Sequence, residues 1–176
     1  MKNLLLIFIL MFSFFNLKAQ SKSTKFKTLL STFSALAPGA SVLLPLAGKG
    51  INDRLDAALA HEILLDKNPL FAPEKFKTYP VGYFNRSENV AVLVFAKESF
   101  DIPGYFAVDV RTYDIKKGKL INMFANWGEF DLKSEKTCTV FVMENKGLVR
   151  LINNSSYGEQ SKNIVIQEDG KMIFSK

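Results

Sequence analysis

The sequence predicts an α+β protein, an antiparallel β-meander of about eight strands preceded by two helices. Three observations lead there. Apolar residues recur at helical spacing in two stretches near the start of the chain, around Phe26 and around Leu59. From Thr78 onward, runs rich in Val, Ile, Phe, Tyr and Thr alternate with short clusters of Gly, Asn and Asp. Connections this short cannot hold a parallel crossover, so neighbouring strands must be antiparallel.

The first 19 residues are expected to leave the mature protein. Lys2 precedes the apolar run from Leu4 to Phe12, and Ala19 offers a small residue before Gln20. These are the three parts of a secretory signal. A membrane span needs roughly 20 apolar residues, and Asn16 and Lys18 end this run sooner. No cysteine follows it for lipid attachment. The expected location is therefore the periplasm or the cell exterior, without stable membrane insertion. Residues 20–25 form a polar lead-in expected to be mobile, and residues 26–176 a single α+β domain. Cleavage removes Lys2 and Lys18, leaving 21 basic against 17 acidic side chains, a net charge of +4 in place of +6. The lysines are scattered and make no stripe, which argues against a nucleic-acid partner. Cys138 is the sole cysteine, so no internal disulfide can form and packing must supply the stability.

Phe26, Leu29, Leu30, Phe33 and Leu36 share one helical stripe, with Ser23 or Thr24 as its cap and Pro38-Gly39 as its stop. Residues 40–50 follow as an apolar linker. Its Gly48-Lys49-Gly50 lacks the earlier glycine and the following Ser or Thr of a phosphate loop. Asn52 or Asp53 caps a second helix running to Leu65 with Leu55, Leu59 and Ile63 on its apolar side, and Asn68-Pro69 ends it. Strands are predicted over 78–84, 89–97, 105–114, 119–127, 137–144, 148–153, 163–167 and 171–174. The turns at 85–88, 115–118, 145–147 and 168–170 carry Gly, Asn or Asp where positive φ is wanted.

In 89–97 both alternating sets are apolar, as in a central strand covered on two sides. In 105–114 the sets separate. Phe106, Val108 and Val110 make an apolar face, and Tyr105, Asp109, Arg111 and Tyr113 the other. A loop over 115–118 with Gly118 left-handed pairs Asp114 with Lys119. Ile121, Met123, Ala125 and Trp127 then join the apolar face, and Asn122, Phe124 and Asn126 the polar one. Tyr and Arg are over-represented at binding hot spots and Asn supplies adaptable hydrogen bonds. The candidate binding face for a protein or glycan partner is thus Tyr105, Asp109, Arg111, Tyr113, Asn122, Phe124 and Asn126.

Several stretches resemble a diffuse group of small secreted proteins of Gram-negative bacteria. They are the aromatic helix followed by Leu44-Pro45, the run Tyr79-Pro80-Val81-Gly82, and the strand from Val90 to Phe95. The hairpin from Tyr113-Asp114 to Gly118-Lys119-Leu120-Ile121 and the ending Glu168-Asp169-Gly170-Lys171-Met172-Ile173 complete the set. The resemblance implies envelope or extracellular residence and a compact antiparallel β domain. It assigns no catalytic residue.

The residues that carry chemistry are sparse. His61 is the only histidine, and position 65 is Leu65, where a zinc-protease helix needs a second histidine. No metal or cofactor is predicted. Cys138 lies in the strand Thr137-Cys138-Thr139-Val140, where a thiol acts as a small apolar residue. Asp101, Asp109, Asp114, Glu129 and Asp131 are the acids from which a glycosidase pair would have to come. The leading expectation is a secreted or periplasmic non-enzymatic binding protein, either an inhibitor or immunity protein or an accessory subunit of an envelope assembly. The competing one is a carboxylate-dependent, glycosidase-like hydrolase.

Overall fold

The computed structural model describes residues 22–44, 55, 59–60, 76–99, 101–131 and 136–175. Its strands form two antiparallel sheets accompanied by one short helix, which corrects the expected α+β meander with two N-terminal helices. One sheet is a four-stranded meander of β2 (Phe76–Ser87), β3 (Val90–Ser99), β4 (Tyr105–Asp114) and β5 (Lys119–Asp131). The other contains β1 (Ser41–Leu44), β6 (Thr137–Val142), β7 (Leu148–Ser155), β8 (Gly158–Ile166) and β9 (Met172–Ser175), in the order β1-β6-β7-β8-β9.

The division into two sheets follows from where apolar surface accumulates. Burial alternates along β6, with Cys138, Val140 and Val142 inside. Together with Val149, Leu151, Ile164 and Ile166 they make one apolar face on the five-stranded sheet. Val92, Val94, Phe106, Val108, Val110 and Phe130 make another on the four-stranded sheet. Stacking the two faces removes both from water, at about 1.5–3 kcal/mol for each large aliphatic or aromatic side chain. A single extended meander would leave one of them wet. Strand β6 therefore pairs with β1 and not with β5.

Strand β1 lies in the stretch expected to be a linker, and pairs Leu44 with Cys138. Strand β8 begins at Gly158, ahead of the expected 163–167, because Ser155 pairs with Gly158 across a tight turn at Ser156 and Tyr157.

The outer face of the four-stranded sheet is covered too. Helix α1 (residues 22–30) lays Phe26 and Leu29 over Ala91, Leu93, Phe95 and Tyr113, with Phe33, Leu55 and Ala60 in the same cluster. Phe26 stacks on Tyr113 with ring centroids 5.0 Å apart. The helix rests directly on the β4–β5 hairpin. A Cβ at Gly118 (φ +59°) would meet the Lys22 carbonyl oxygen and Phe26 Cβ, both at 2.9 Å. The helix begins inside the expected mobile lead-in and stops at residue 30, short of Leu36. The hydroxyls of Thr28, Ser31 and Thr32 bond back to the carbonyls of Thr24, Thr28 and Leu29, which weakens a helix. Pairing with the sheet edge then takes over, as Leu36 N–H donates to the Tyr83 carbonyl at 2.7 Å and Tyr83 N–H to the Ser34 carbonyl at 2.9 Å. Of the expected second helix, Leu59 and Ala60 are helical and Leu55 N–H donates to the Thr78 carbonyl at 2.9 Å; the rest lies outside the described residues.

Candidate functional site

Strand β5 spends 13 residues alongside the 10 of β4, and the surplus forms three bulges. Tyr113 pairs with Leu120 but Thr112 with Asn122, so Ile121 is extra. Val110 pairs with Phe124 and Val108 with Trp127, which inserts a residue at 125–126. Phe106 pairs with Phe130, which inserts another at 128–129. Each bulge exchanges the faces of the residues beyond it.

The bulge at Ile121 divides the predicted binding face. Asn122 and Phe124 lie opposite Thr112 and Val110, on the face turned to the second sheet. There Phe124 packs against the inter-sheet core. Asp109, Arg111 and Tyr113 lie on the opposite face and are 0–1% exposed, with Tyr113 stacked under Phe26 of α1. Asn126 falls within a bulge. Tyr105, at the far end of β4, is half-buried. The seven residues do not share one surface.

What the buried part forms is a charge cluster. The Asp109 carboxylate receives Lys97 Nζ on Oδ1 at 3.0 Å and Arg111 Nη2 on Oδ2 at 3.1 Å. Burial pulls the Lys97 ammonium below the usual lysine range, against the attraction of Asp109. The Arg111 guanidinium lies over the Phe95 ring, 5.1 Å from its centroid.

A solvent-facing cleft of about 210 Å³ opens at one end of the sandwich, where the last bulge of β5 meets the β7–β8 hairpin. Gly128, at φ +83°, takes a left-handed turn that L side chains rarely adopt and delivers Glu129 to the cleft. Opposite it stand Asn153, Asn154 and Ser155 at the end of β7, then Gln160 on β8, with Lys136 at the entry to β6. Tyr157, at the hairpin tip, forms the rim and is 95% exposed. The Asn153 side chain points inward, since Asn153 pairs with Cys138, and its buried Oδ1 has no hydrogen-bond donor among the described residues. The Tyr105 hydroxyl donates to Glu129, and burial together with that bond raises its pKa, so it stays protonated. Among the predicted residues whose side chains are described, Tyr105 is the one tied to this cleft.

The wall is thus made of amides, hydroxyls, one carboxylate and one ammonium, with a flat aromatic ring at the rim. Such a set can hydrogen-bond hydroxyls and stack on a ring face. Of the acids considered for hydrolysis, Glu129 lines the cleft. Asp109 is locked in its ion pairs, and Asp114 accepts the Lys117 N–H at 2.9 Å to close a turn. Burial pushes the Cys138 thiol up to about 12, far from the depressed values of reactive thiols. Among the described residues no group of three or more His, Cys, Asp or Glu could hold a metal ion, and no helix is long and apolar enough to cross a membrane. His61 lies outside the described residues.

Asn153, Asn154, Tyr157 and Gln160 escaped sequence reasoning. A visible signal was Ser155-Ser156-Tyr157-Gly158, a two-residue turn carrying a large aromatic where turn positions favour small polar residues. Compared with known proteins, the chain matches no protein-family profile, no curated protein and no solved structure.

Proposed function

We propose that the chain is an exported, non-enzymatic binding protein that holds a glycan in the cleft between β5 and the β7–β8 hairpin. The observation that carries this reading is Tyr157, a nearly fully exposed ring at the rim of a cleft lined by amides and hydroxyls. Exposed aromatic rings have little to do for stability, whereas a ring beside hydrogen-bonding amides suits a sugar, which offers C–H faces and hydroxyl edges. The unsatisfied Asn153 Oδ1 accepts a ligand hydroxyl, and Glu129 and Lys136 add a charged acceptor and donor. With one carboxylate from the described residues in the cleft, binding fits better than the paired-carboxylate hydrolysis of glycosidases.

The test is an NMR titration with a panel of neutral and uronic-acid oligosaccharides. Amide shifts should cluster at 153–160 and 128–130. Tyr157→Ala should leave the melting temperature unchanged and weaken binding about 2–10-fold, the worth of one aromatic contact. A panel that moves no peak in the cleft, or a Tyr157→Ala protein that binds like wild type, would remove the reading. Export is checked separately by intact mass of protein from its native host, with the mature N-terminus expected at Gln20.

A further inference from the structure

The charge cluster on the outer face of the four-stranded sheet has a chemistry of its own, independent of the cleft. Arg111 and Lys97 share one carboxylate, Asp109, and the side chains of all three are 0–1% exposed. The Arg111 guanidinium is planar and carries five N–H donors. One ring face of Phe95 covers it, and Nη2 is engaged by Asp109. Nε and Nη1 are buried and have no acceptor among the described residues. The flanking cross-strand partners of Arg111 are Leu93 on β3 and Met123 on β5, neither of which offers a side-chain oxygen. Leaving charged donors dry and unpaired costs more than leaving neutral ones. Native folds keep such groups only exceptionally, and an ion or a water is a common occupant.

We propose that Arg111 Nε and Nη1 bind a small inorganic anion of halide size, lodged against the guanidinium edge on the outer face of the four-stranded sheet. An anion satisfies both donors at once and sets a negative charge against the buried guanidinium. Its size follows from the enclosure. Lys97, Asp109 and Arg111 are 0–1% exposed, so a bulky organic anion does not fit beside them. A buried water would occupy the donors but would not answer to the identity of the salt.

Thermal melts of the full chain in sodium chloride, balanced to constant ionic strength with sodium gluconate, separate these cases. The melting temperature should rise saturably with chloride. At a chloride concentration ten times its dissociation constant, the folded-to-unfolded ratio should be about elevenfold higher than in gluconate alone. Arg111→Gln should abolish the response. Because that variant also takes a partner from Asp109, wild-type crystals soaked in sodium bromide give a second decision. An anomalous peak is expected within hydrogen-bond distance of Nε and Nη1. Equal melting in chloride and gluconate, a chloride response retained by Arg111→Gln, or a bromide map empty at Arg111 would each overturn the proposal.

Discussion

Gly128→Ala tests the link between the two sheets where a bulge of β5 meets β6. Gly128 has φ +83°, and a left-handed conformation costs an L residue about 1–2 kcal/mol. Its new methyl would also sit 2.7 Å from Cys138 Sγ and 3.4 Å from Val108 Cβ. Overfilling a packed core of this kind costs about 1–3 kcal/mol. The expected destabilisation is the two together, about 2–5 kcal/mol, measured by urea unfolding of the purified protein with an unchanged slope. A double-mutant cycle separates the causes. Cys138→Ala alone should cost about 1 kcal/mol in lost packing. It also removes the sulfur that the new methyl would strike, so the double variant should be more stable than the sum predicts by about 1–3 kcal/mol. What persists in the double variant is the backbone strain. Additivity of the two changes, or a Gly128→Ala protein as stable as wild type, would refute the claim that this bulge is pinned between the sheets.

Acidification should expose the role of Glu98. Burial alone would raise its carboxyl, but donors from Tyr79 at 2.8 Å, Gly104 N–H at 3.1 Å and Lys77 at 3.3 Å outweigh it and hold the pKa below the usual carboxylate range. The stability it contributes is therefore present above the ordinary glutamate pKa and lost as pH falls through the lowered one; Glu98→Gln should flatten that acid limb of the urea-unfolding profile, and an unaltered limb would assign it to other acids. Thr112→Val should cost about 1–3 kcal/mol, because the hydroxyl donates to the Gly170 carbonyl at 2.6 Å and accepts Asn122 N–H at 3.1 Å; a neutral result in chemical denaturation would mean that these groups find other partners. Cys138, fully buried with its thiol pushed up to about 12, should react with a thiol reagent only after denaturant is added, and rapid labelling of the folded protein would contradict the packing described.

Much of the local structure was legible in the residues. Each of the eight predicted runs falls on a strand, with Asn89, Met143, Glu144, Gln167 and Lys171 at their ends left outside, and the 115–118 loop pairs Asp114 with Lys119 around a left-handed Gly118 as its glycine implied. The double apolar pattern of 89–97 correctly marked β3 as covered on both faces, by the second sheet and by α1. Period-two alternation and turn chemistry act over a few residues, which is why they survive in the linear sequence. The face containing Arg111 and Asn122 was another matter. A single extra residue at Ile121 reverses the side chains from Asn122 to Phe124, up to the next bulge, and nothing in the run Leu120-Ile121-Asn122-Met123 announces it.

Eight of the nine strands, most of their turns, the absence of a disulfide and the apolar residues Phe26 and Leu29 of α1 can be read from the residues alone. Each depends on neighbours a few positions apart. The packing of the whole chain sends β6 from β5 to β1 and leaves Asp109 and Arg111 buried with Lys97. It also decided that Glu129 and Tyr157, 28 positions apart in sequence, line one cleft. Those outcomes depend on which apolar faces meet and how many bulges the facing strands absorb. That is a comparison among whole-chain arrangements, settled by the surface each removes from water.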